Sequence, residues 1–351
     1  MDLAQSDVAI YSTCPSTIDY EQESYLPELL EIARWTDDAG YRGALVYTDC
    51  NAIDAWMAAQ VTIENTASFV PLVAVQPMDM TPFALARAVA SLALLFRRRV
   101  DLNFVSGGFS RDLVVQGDDL SHDRRYDRLV EYVTIVRMLL EGGRVQYAGQ
   151  YYNIRGAQLP FAPPVNLMPT AYVSGSSAAS VAAAESLGIR QLSYPLPPED
   201  FEGANVCRNK FGTGIRIGII ARDDSSEAWQ IARRRFPIDR EGQENMELLC
   251  ALSESSWQHA IASLTMPAET DEELYWLGPF RNYHTFCPYL VGSYDEVEKA
   301  VRAYVSGGVR AFILDVPQEP DDLHHARIVI QRAVGATNGT ARVARDVQPG
   351  A

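Results

Sequence analysis

The sequence has 351 residues, 47% of them hydrophobic and 21% charged, and its formal net charge at pH 7 is −15. A chain of this composition buries a sizeable core, and its length suits one large barrel domain or two ordinary domains. The excess of negative charge argues against a nucleic-acid partner, because the phosphate backbone would be repelled. We therefore expect no nucleic-acid partner.

The five cysteines are scattered along the chain without a Cys-x-x-Cys pair; they are Cys14, Cys50, Cys207, Cys250 and Cys287. An odd and dispersed set is typical of reduced thiols and argues against a disulfide framework or a zinc site. The N-terminus lacks the basic and apolar regions of a secretory signal, and no stretch is apolar enough to span a bilayer. The sequence therefore predicts a cytoplasmic protein with no metal and no membrane association.

Short apolar runs alternate with longer segments of helical periodicity along most of the chain. The predicted strands lie, in chain order, around 8–11, 44–47, 69–75, 100–105, 169–173, 189–194, 215–221 and 311–316. Helices are predicted over 25–39, around Trp56, from Thr81, over 123–140 and 176–187, through Trp229 and through 328–330. A hairpin-like excursion over 144–159 separates the fourth helix from the fifth strand.

Eight β/α units in succession leave two architectures, a closed barrel or an open doubly wound sheet. No glycine fingerprint follows the first strand, which disfavours a dinucleotide-binding sheet. We predict a single-domain α/β protein, a (β/α)₈ TIM barrel with insertions, over residues 1–336. Residues 236–290 are long and poorly periodic, so we predict an insertion or lid there. The polar, glycine-containing residues 337–351 are predicted to form a flexible tail.

The fourth strand carries polar residues where a barrel would bind a ligand. Alternation places Asp101 and Asn103 on the face opposite Leu102. Polar side chains at the inward, C-terminal end of a barrel strand lie where barrel enzymes bind their ligands. The amide of Asn103 both donates and accepts, which suits the pyrimidine edge of a flavin. The alternative is that both side chains only satisfy buried backbone groups.

Two further segments have the chemistry of a ligand site. His122 and Tyr126 are four residues apart at a helix start and share one face, although for this pair alone a capping or surface role is the favoured interpretation. The turn Ser174-Gly175-Ser176-Ser177 leaves a strand and opens an alanine-rich helix. Free amides, a glycine and two hydroxyls at a helix N-terminus suit a phosphate, although serine also caps helices without any ligand.

Several motifs together resemble one family, the alkanesulfonate monooxygenase branch of the luciferase-like flavin enzymes. The motifs are LNFVSGGFS at 102–110, SHDRRY at 121–126, YAGQYYNIRGA at 147–157 and VGSYDEV at 291–297, together with the Ser174–Ser177 turn. The resemblance extends from about residue 8 to about residue 335 in the order of the family. It implies a (β/α)₈ barrel that binds flavin at the C-terminal ends of its strands.

The resemblance also implies roles for individual residues. It places the flavin ring near Thr48 and Asn103, the ring or its ribityl chain against His122 and Tyr126, and the flavin phosphate at Gly175, Ser176 and Ser177. Where alkanesulfonate enzymes have a catalytic cysteine and histidine, this chain has Ala52 and Gly218, whereas their arginine is retained as Arg216. Their tyrosine after the eighth strand has no evident counterpart. We therefore expect a flavin site that is kept and a substrate site that is rebuilt for chemistry other than sulfonate cleavage.

By this resemblance the chain is a two-component, FMNH₂-dependent monooxygenase of secondary metabolism. It would insert one oxygen atom from O₂ into a small organic substrate through a flavin C4a-(hydro)peroxide, and a separate NAD(P)H:flavin reductase would supply the reduced flavin. Two alternatives stay open, an F420-dependent oxidoreductase that transfers hydride and a flavin-binding barrel without activity. The family is usually oligomeric, which implies a homodimer or homotetramer.

The candidate catalytic residues are His284, Arg216 and Arg281. Histidine titrates near neutral pH and suits proton transfer, and Arg216 suits an anionic substrate group or the peroxide. His284 and Arg281 belong to an aromatic-rich segment, Leu274–Pro288. This segment is interpreted either as a mobile lid that excludes water or as a satellite core.

Overall fold

The computed structural model describes residues 7–16, 22–107, 110–201, 211–252, 261 and 272–346. The strands of these residues are β1 (Ala9–Thr13), β2 (Gly43–Val46), β3 (Leu72–Val75), β4 (Asp101–Phe104), β5 (Val145–Ala148), β6 (Asn153–Ala157), β7 (Ala171–Ser174), β8 (Arg190–Ser193), β9 (Thr213–Arg216), β10 (Gly218–Arg222), β11 (Tyr275–Trp276), β12 (Tyr289–Ser293) and β13 (Val309–Ile313). Eight of them close a barrel in the order β1-β13-β9-β8-β7-β4-β3-β2. Every neighbouring pair in this barrel is parallel, which confirms the predicted (β/α)₈ architecture.

Helices follow the barrel strands and cover their outer faces. They are α1 (Gln22–Asp38), α2 (Ala55–Glu64), α3 (Pro82–Phe96), α4 (Ser110–Gln116), α5 (His122–Leu140), α6 (Ala178–Leu187), α7 (Pro198–Phe201), α8 (Ser225–Arg235), α9 (Arg240–Leu252), α10 (Gly278–Arg281), α11 (Tyr294–Ser306) and α12 (Pro320–Asp346). The predicted start of α3 is confirmed, since Thr81 accepts a hydrogen bond from the Ala84 amide 3.2 Å away. The predicted hairpin over 144–159 is confirmed as the antiparallel pair of β5 and β6.

Alternation along the strands divides the buried side chains into an interior set and an outer set. The interior of the barrel is filled by Tyr11, Leu45, Leu72, Tyr172, Leu192, Ala311 and Ile313. Residues of opposite parity, such as Val46, Val73 and Leu102, pack against the helices instead. The same parity directs Asn103 and Arg216 inward near the C-terminal rim of the barrel, which we call the mouth.

The prediction of one strand over 215–221 is wrong, because the chain leaves the barrel between β9 and β10. The Ile217 amide still donates to Ile313 in the barrel, but the Gly218 amide donates to the Pro288 carbonyl outside it. From Gly218 onward the chain pairs with β12 in a separate three-stranded sheet, β10-β12-β11. The break escaped the sequence analysis because the apolar run continues through it.

The predicted insertion over 236–290 contains regular structure: α9, β11 and α10, and the start of β12. Its aromatic side chains pack in a satellite cluster in which Phe236 contacts Trp276 and Tyr289, and Trp229 contacts Trp276. The described part of Leu274–Pro288 therefore matches the satellite-core interpretation. Residues 253–260 and 262–271 of the predicted lid lie outside the described residues.

The helix α12 continues to Asp346, ten residues beyond the predicted domain boundary at 336. The division into a domain over 1–336 and a flexible tail over 337–351 stays a prediction. In the described ranges, no helix is long and apolar enough to cross a membrane.

A buried ion pair closes the end of the barrel opposite the mouth. Asp101 has no exposed surface; its Oδ2 accepts from the Tyr11 hydroxyl and from Arg42 Nε, each at 2.6 Å. Its Oδ1 accepts from the Thr170 amide at 2.7 Å. Asp101 faces inward as predicted, but at the N-terminal end of β4, where barrels bury structural groups and not ligands.

Replacing Asp101 with alanine should destabilise the fold by about 3 kcal/mol, because the buried Tyr11 hydroxyl, the Thr170 amide and the partly buried Arg42 would lose their common acceptor. Urea denaturation at pH 7 measures this change. The matched control is Asp295→Ala at the exposed pair with Arg332, which should cost less than about 1 kcal/mol. Equal effects of the two substitutions would contradict a stabilising role for the buried pair.

Four of the five cysteines are described, and all four are free thiols; Cys14 is buried, whereas Cys50 is exposed. Burial raises the pKa of Cys14 to about 12. At pH 8 the Cys14 thiol is therefore protonated and unreactive. We expect a disulfide-exchange reagent to label Cys50 in the native protein and Cys14 only after unfolding, as mass spectrometry of tryptic peptides would show. Rapid native labelling of Cys14 would contradict the packing of this region.

Candidate active site

The turn between β7 and α6 approaches Tyr126 so closely that only glycine fits there. Gly175 has φ +132°, and a Cβ at this position would lie 2.3 Å from the Tyr126 hydroxyl. That hydroxyl donates to the Ser174 carbonyl at 2.9 Å. The phenol of Tyr126 thus lies against the turn, as the predicted cofactor site requires.

The same turn begins helix α6 with a capping serine. The side chain of Ser177 accepts a hydrogen bond from the Ser180 amide at 3.2 Å, and Ser176 is exposed. The first turn of a helix carries amides without intrahelical partners and the positive end of the helix dipole. Gly175, Ser176 and Ser177 therefore form a cradle with the donor chemistry that binds a phosphate.

Asn103 joins this cradle to the interior of the mouth. Its Oδ1 accepts from the Ser174 hydroxyl at 2.8 Å, and the residue is 4% exposed. The nearby Gln191 amide donates to the Gly175 carbonyl at 2.7 Å and supports the turn from β8. The bond from Ser174 leaves the amide nitrogen of Asn103 as a donor for a ligand in the mouth.

His122 and Tyr126 share one face of α5, as predicted, with their ring centroids 5.2 Å apart. Burial raises the pKa of Tyr126, so its phenol stays protonated and can donate at neutral pH. His122 Nδ1 hydrogen-bonds to the Asp123 carboxylate at 2.8 Å. The pair therefore belongs to the same group as Asn103 and Gly175.

Thr48 lies on another part of the rim. Its hydroxyl donates to Asp79 at 3.0 Å, and Asp79 accepts from Gln116, which in turn accepts from Gln76. This chain joins the loops after β2 and β3 to α4. The structure thus places Thr48 at the mouth, but with its own hydrogen bond directed to Asp79 and not to Asn103.

Arg216 is the centre of a second polar group, across the mouth. Its guanidinium contacts the ring and hydroxyl of Tyr47, with the guanidinium carbon 4.9 Å from the ring centroid. Arg216 Nη2 lies 3.3 Å from Asp315 Oδ1, and Asp315 Oδ2 accepts from the Tyr289 hydroxyl at 2.8 Å. We call Tyr47, Arg216, Asp315 and Tyr289 the arginine group.

The other two catalytic candidates lie in the satellite cluster. His284 is exposed and its Nε2 donates to the Pro237 carbonyl at 2.9 Å. Two aromatic side chains, Phe236 and Tyr289, separate its ring from Asp315. Arg281 ends helix α10 and is partly buried. The hydrogen bonds that define the arginine group involve neither His284 nor Arg281.

The sequence analysis missed three members of the arginine group, Tyr47, Asp315 and Tyr289. Tyr47 follows Leu45 with inward parity, so the alternation of β2 could have identified it. Asp315 has the inward parity of Ile313 two residues beyond the end of the eighth strand. Tyr289 carried no such signal, because it enters the mouth from the separate sheet.

A cleft of about 450 Å³ opens beside the mouth, between the loop after β3 and the β5–β6 hairpin. Its lining includes Asp79, the partner of Thr48, and two tyrosines, Tyr151 and Tyr152. Arg128 also lines it, held by the Asp118 carboxylate at 2.5 Å. The volume is in the range of small-molecule sites.

These features define a (β/α)₈-barrel enzyme whose mouth combines a phosphate cradle with a buried arginine. The donors at this turn and the side-chain amide of Asn103 have the chemistry to hold a phosphorylated cofactor such as a flavin nucleotide. The model of the luciferase-like monooxygenase family matches residues 8–311. The chain belongs to this family and is an oxidoreductase with monooxygenase activity.

A curated relative is 31% identical over 333 residues, which cover 93% of this chain and 97% of the relative. It is the 4-(γ-L-glutamylamino)butanoyl-[BtrI acyl-carrier protein] monooxygenase BtrO of Niallia circulans.

Solved structures show the same fold at low identity. The EDTA monooxygenase of Chelativorans sp. BNC1 has a TM-score of 0.66 at 13% identity, covering 97% of this chain and 95% of that one. An F420-dependent secondary alcohol dehydrogenase, in complex with an F420–acetone adduct, has a TM-score of 0.63 at 18% identity. The match covers 93% of this chain and 99% of the dehydrogenase. Structures with this fold therefore include a monooxygenase and an F420-dependent dehydrogenase.

Replacing Gly175 with alanine should weaken the binding of FMN by about tenfold or more, because the methyl group would collide with Tyr126 and Ser180 and displace the turn. Riboflavin, which lacks the phosphate, should lose much less affinity. Quenching of flavin fluorescence during titration measures both values.

The matched control is Gly117→Ala. Gly117 also has a positive φ, +69°, but nothing lies within 4 Å of an added Cβ. This control also places alanine at a positive φ, in the milder left-handed helical region, and its methyl group contacts no other residue, so both affinities should change little. The phosphate assignment would be contradicted if the ratio of the affinities for FMN and riboflavin were the same in Gly175→Ala as in the wild type.

Proposed function

We propose that this protein is a two-component, FMNH₂-dependent monooxygenase that inserts one oxygen atom of O₂ into an acyl group carried by an acyl-carrier protein. The observation that carries the proposal is the pairing of a phosphate cradle with a buried arginine group at one barrel mouth. The relative from Niallia circulans, which acts on a carrier-bound acyl substrate, supports the choice of substrate class. A role in secondary metabolism agrees with that choice.

Each half of the mouth would have its own task. Gly175, Ser176 and Ser177 would hold the flavin phosphate, with Tyr126 and His122 beside the ribityl chain. Asn103 would donate to the pyrimidine edge of the ring. When bound, reduced flavin supplies the electrons that activate O₂. A separate NAD(P)H:flavin reductase would provide it.

The substrate half favours chemistry other than sulfonate cleavage. Gly218 stands where alkanesulfonate enzymes have a histidine, and the Tyr289 ring occupies the space a side chain at 218 would need, 2.2 Å from the Cβ position. Arg216 and Asp315 would face the substrate. The adjoining cleft leaves room for an extended acyl chain.

An F420-dependent oxidoreductase is the second candidate, because an F420-dependent alcohol dehydrogenase has the same fold over 93% of this chain and 99% of its own. F420 also carries a phosphate, so the cradle alone does not separate the two cofactors. A flavin-binding barrel without substrate turnover is the third candidate.

We also propose a cytoplasmic homodimer or homotetramer. The outer helices expose large apolar side chains: Leu26 (50%), Met57 (55%), Leu94 (47%) and Leu95 (71%). Exposed apolar side chains on neighbouring helices would be covered if these helices met a second copy of the chain. The dispersed free cysteines agree with a reducing compartment.

Titration of the protein with FMN, FMNH₂ and F420 tests the cofactor. We expect FMNH₂ to bind at least about tenfold more tightly than F420, because the mouth would be complementary to the flavin ring. Turnover with photoreduced FMN, isotopically labelled O₂ and short-chain acyl thioesters of a carrier protein should place one labelled oxygen in the acyl product. Tighter binding of F420, with hydride transfer and no label, would favour the second candidate instead.

A further inference from the structure

Arg216 is buried at the mouth, and one N–H of its guanidinium has no hydrogen-bond partner among the described residues. The residue is 7% exposed, and this N–H is that of Nε. Nη2 is engaged by Tyr47 and Asp315. A buried N–H without a partner is costly, so the mouth favours a ligand that presents an acceptor to Arg216.

The charge of this arginine is already balanced. The side chains of Arg216 and Asp315 are only 9% and 11% exposed, and they form an ion pair at 3.3 Å. The next cation along the same wall, Arg235, is paired with Asp322 at 2.7 Å. An anion added at Arg216 would therefore leave one uncompensated negative charge in a poorly hydrated site. An uncharged acceptor would add none.

Tyr289 holds Asp315 in the position that balances the arginine. Its hydroxyl donates to Asp315 Oδ2 at 2.8 Å, and its ring occupies the space left by Gly218. Burial and the neighbouring Asp315 carboxylate raise the pKa of Tyr289, so it remains a donor. Asp315 is thus fixed from two sides, by Arg216 at one oxygen and by Tyr289 at the other.

We propose that Arg216 binds the carbonyl oxygen of an uncharged thioester or amide and discriminates against anionic groups such as sulfonates, with Asp315 and Tyr289 as the positioning residues that set this preference. The inference deepens the proposed function, on which it rests, because a carrier-bound acyl group presents such a carbonyl. It also gives a physical reason why a chain that keeps the arginine of alkanesulfonate enzymes can act on a different substrate.

The test compares two probes of similar size, S-butanoyl-N-acetylcysteamine and butane-1-sulfonate, by ligand-observed NMR titration of the full chain with FMN bound. The wild type should bind the thioester about tenfold more tightly than the sulfonate. In Asp315→Asn the guanidinium keeps an uncompensated positive charge, so the sulfonate should bind about tenfold more tightly than to the wild type. Arg216→Gln should lose both probes.

Tyr289→Phe keeps the ring over Gly218 and removes only the hydroxyl. It should shift the preference toward the sulfonate in the same direction as Asp315→Asn, by a smaller factor. A purely structural role for Tyr289 would change stability without changing this ratio. Asp322→Asn, which removes a carboxylate of similar burial from a neighbouring arginine pair, is the matched control and should leave the ratio unchanged.

The proposal is overturned if the wild type prefers the sulfonate or fails to bind the thioester, or if Asp315→Asn leaves the ratio of the two affinities unchanged. FMN affinity, measured on the same samples by fluorescence, reports on the proposed function separately. If the wild type binds FMN but prefers the sulfonate to the thioester, only the assignment of the arginine group is rejected. If the wild type does not bind FMN, the proposed function itself is rejected.

Discussion

Closure of the parallel barrel is the constraint on which the rest of the molecule depends. Because all eight strands run in one direction, their carboxyl ends meet at one rim, and alternation decides which side chains face inward there. Asn103 from β4 and Arg216 from β9 are far apart in sequence, yet both point into the mouth for this reason. The polar groups at the two ends of the barrel are consequently separate. Asp101 is buried at the base beneath interior tyrosines, whereas the ligand-facing residues stand at the rim.

The architecture, and the turn that we propose for the phosphate, were predictable from the sequence, because both depend on short-range patterns. Alternation in β4 identified the inward face that carries Asn103, and the Ser174–Ser177 turn combines glycine with a helix N-terminus within four residues. The spacing of His122 and Tyr126 placed both on one helical face. Each of these signals is local, so a single sequence carries it in full.

The substrate side was not predictable in the same way, because it is assembled from segments that no short-range pattern links. Tyr289 belongs to a separate sheet, which the chain joins after it leaves the barrel at Ile217, and the isoleucine-rich run from 215 to 221 conceals that departure. The insertion before it looked aperiodic, since its aromatic residues pack in a satellite cluster and not along one stripe. Parity could have identified Tyr47 and Asp315, but only once the true ends of β2 and β13 were known.

The close approach of Gly218 and Tyr289 has an evolutionary consequence. A side chain at 218 and the Tyr289 ring would occupy the same volume, so a histidine at 218 requires a smaller residue at 289. A single substitution at either position leaves a clash or a void. Divergence of substrate preference in such barrels would then proceed by paired replacements, and relatives could be sorted by these two positions together.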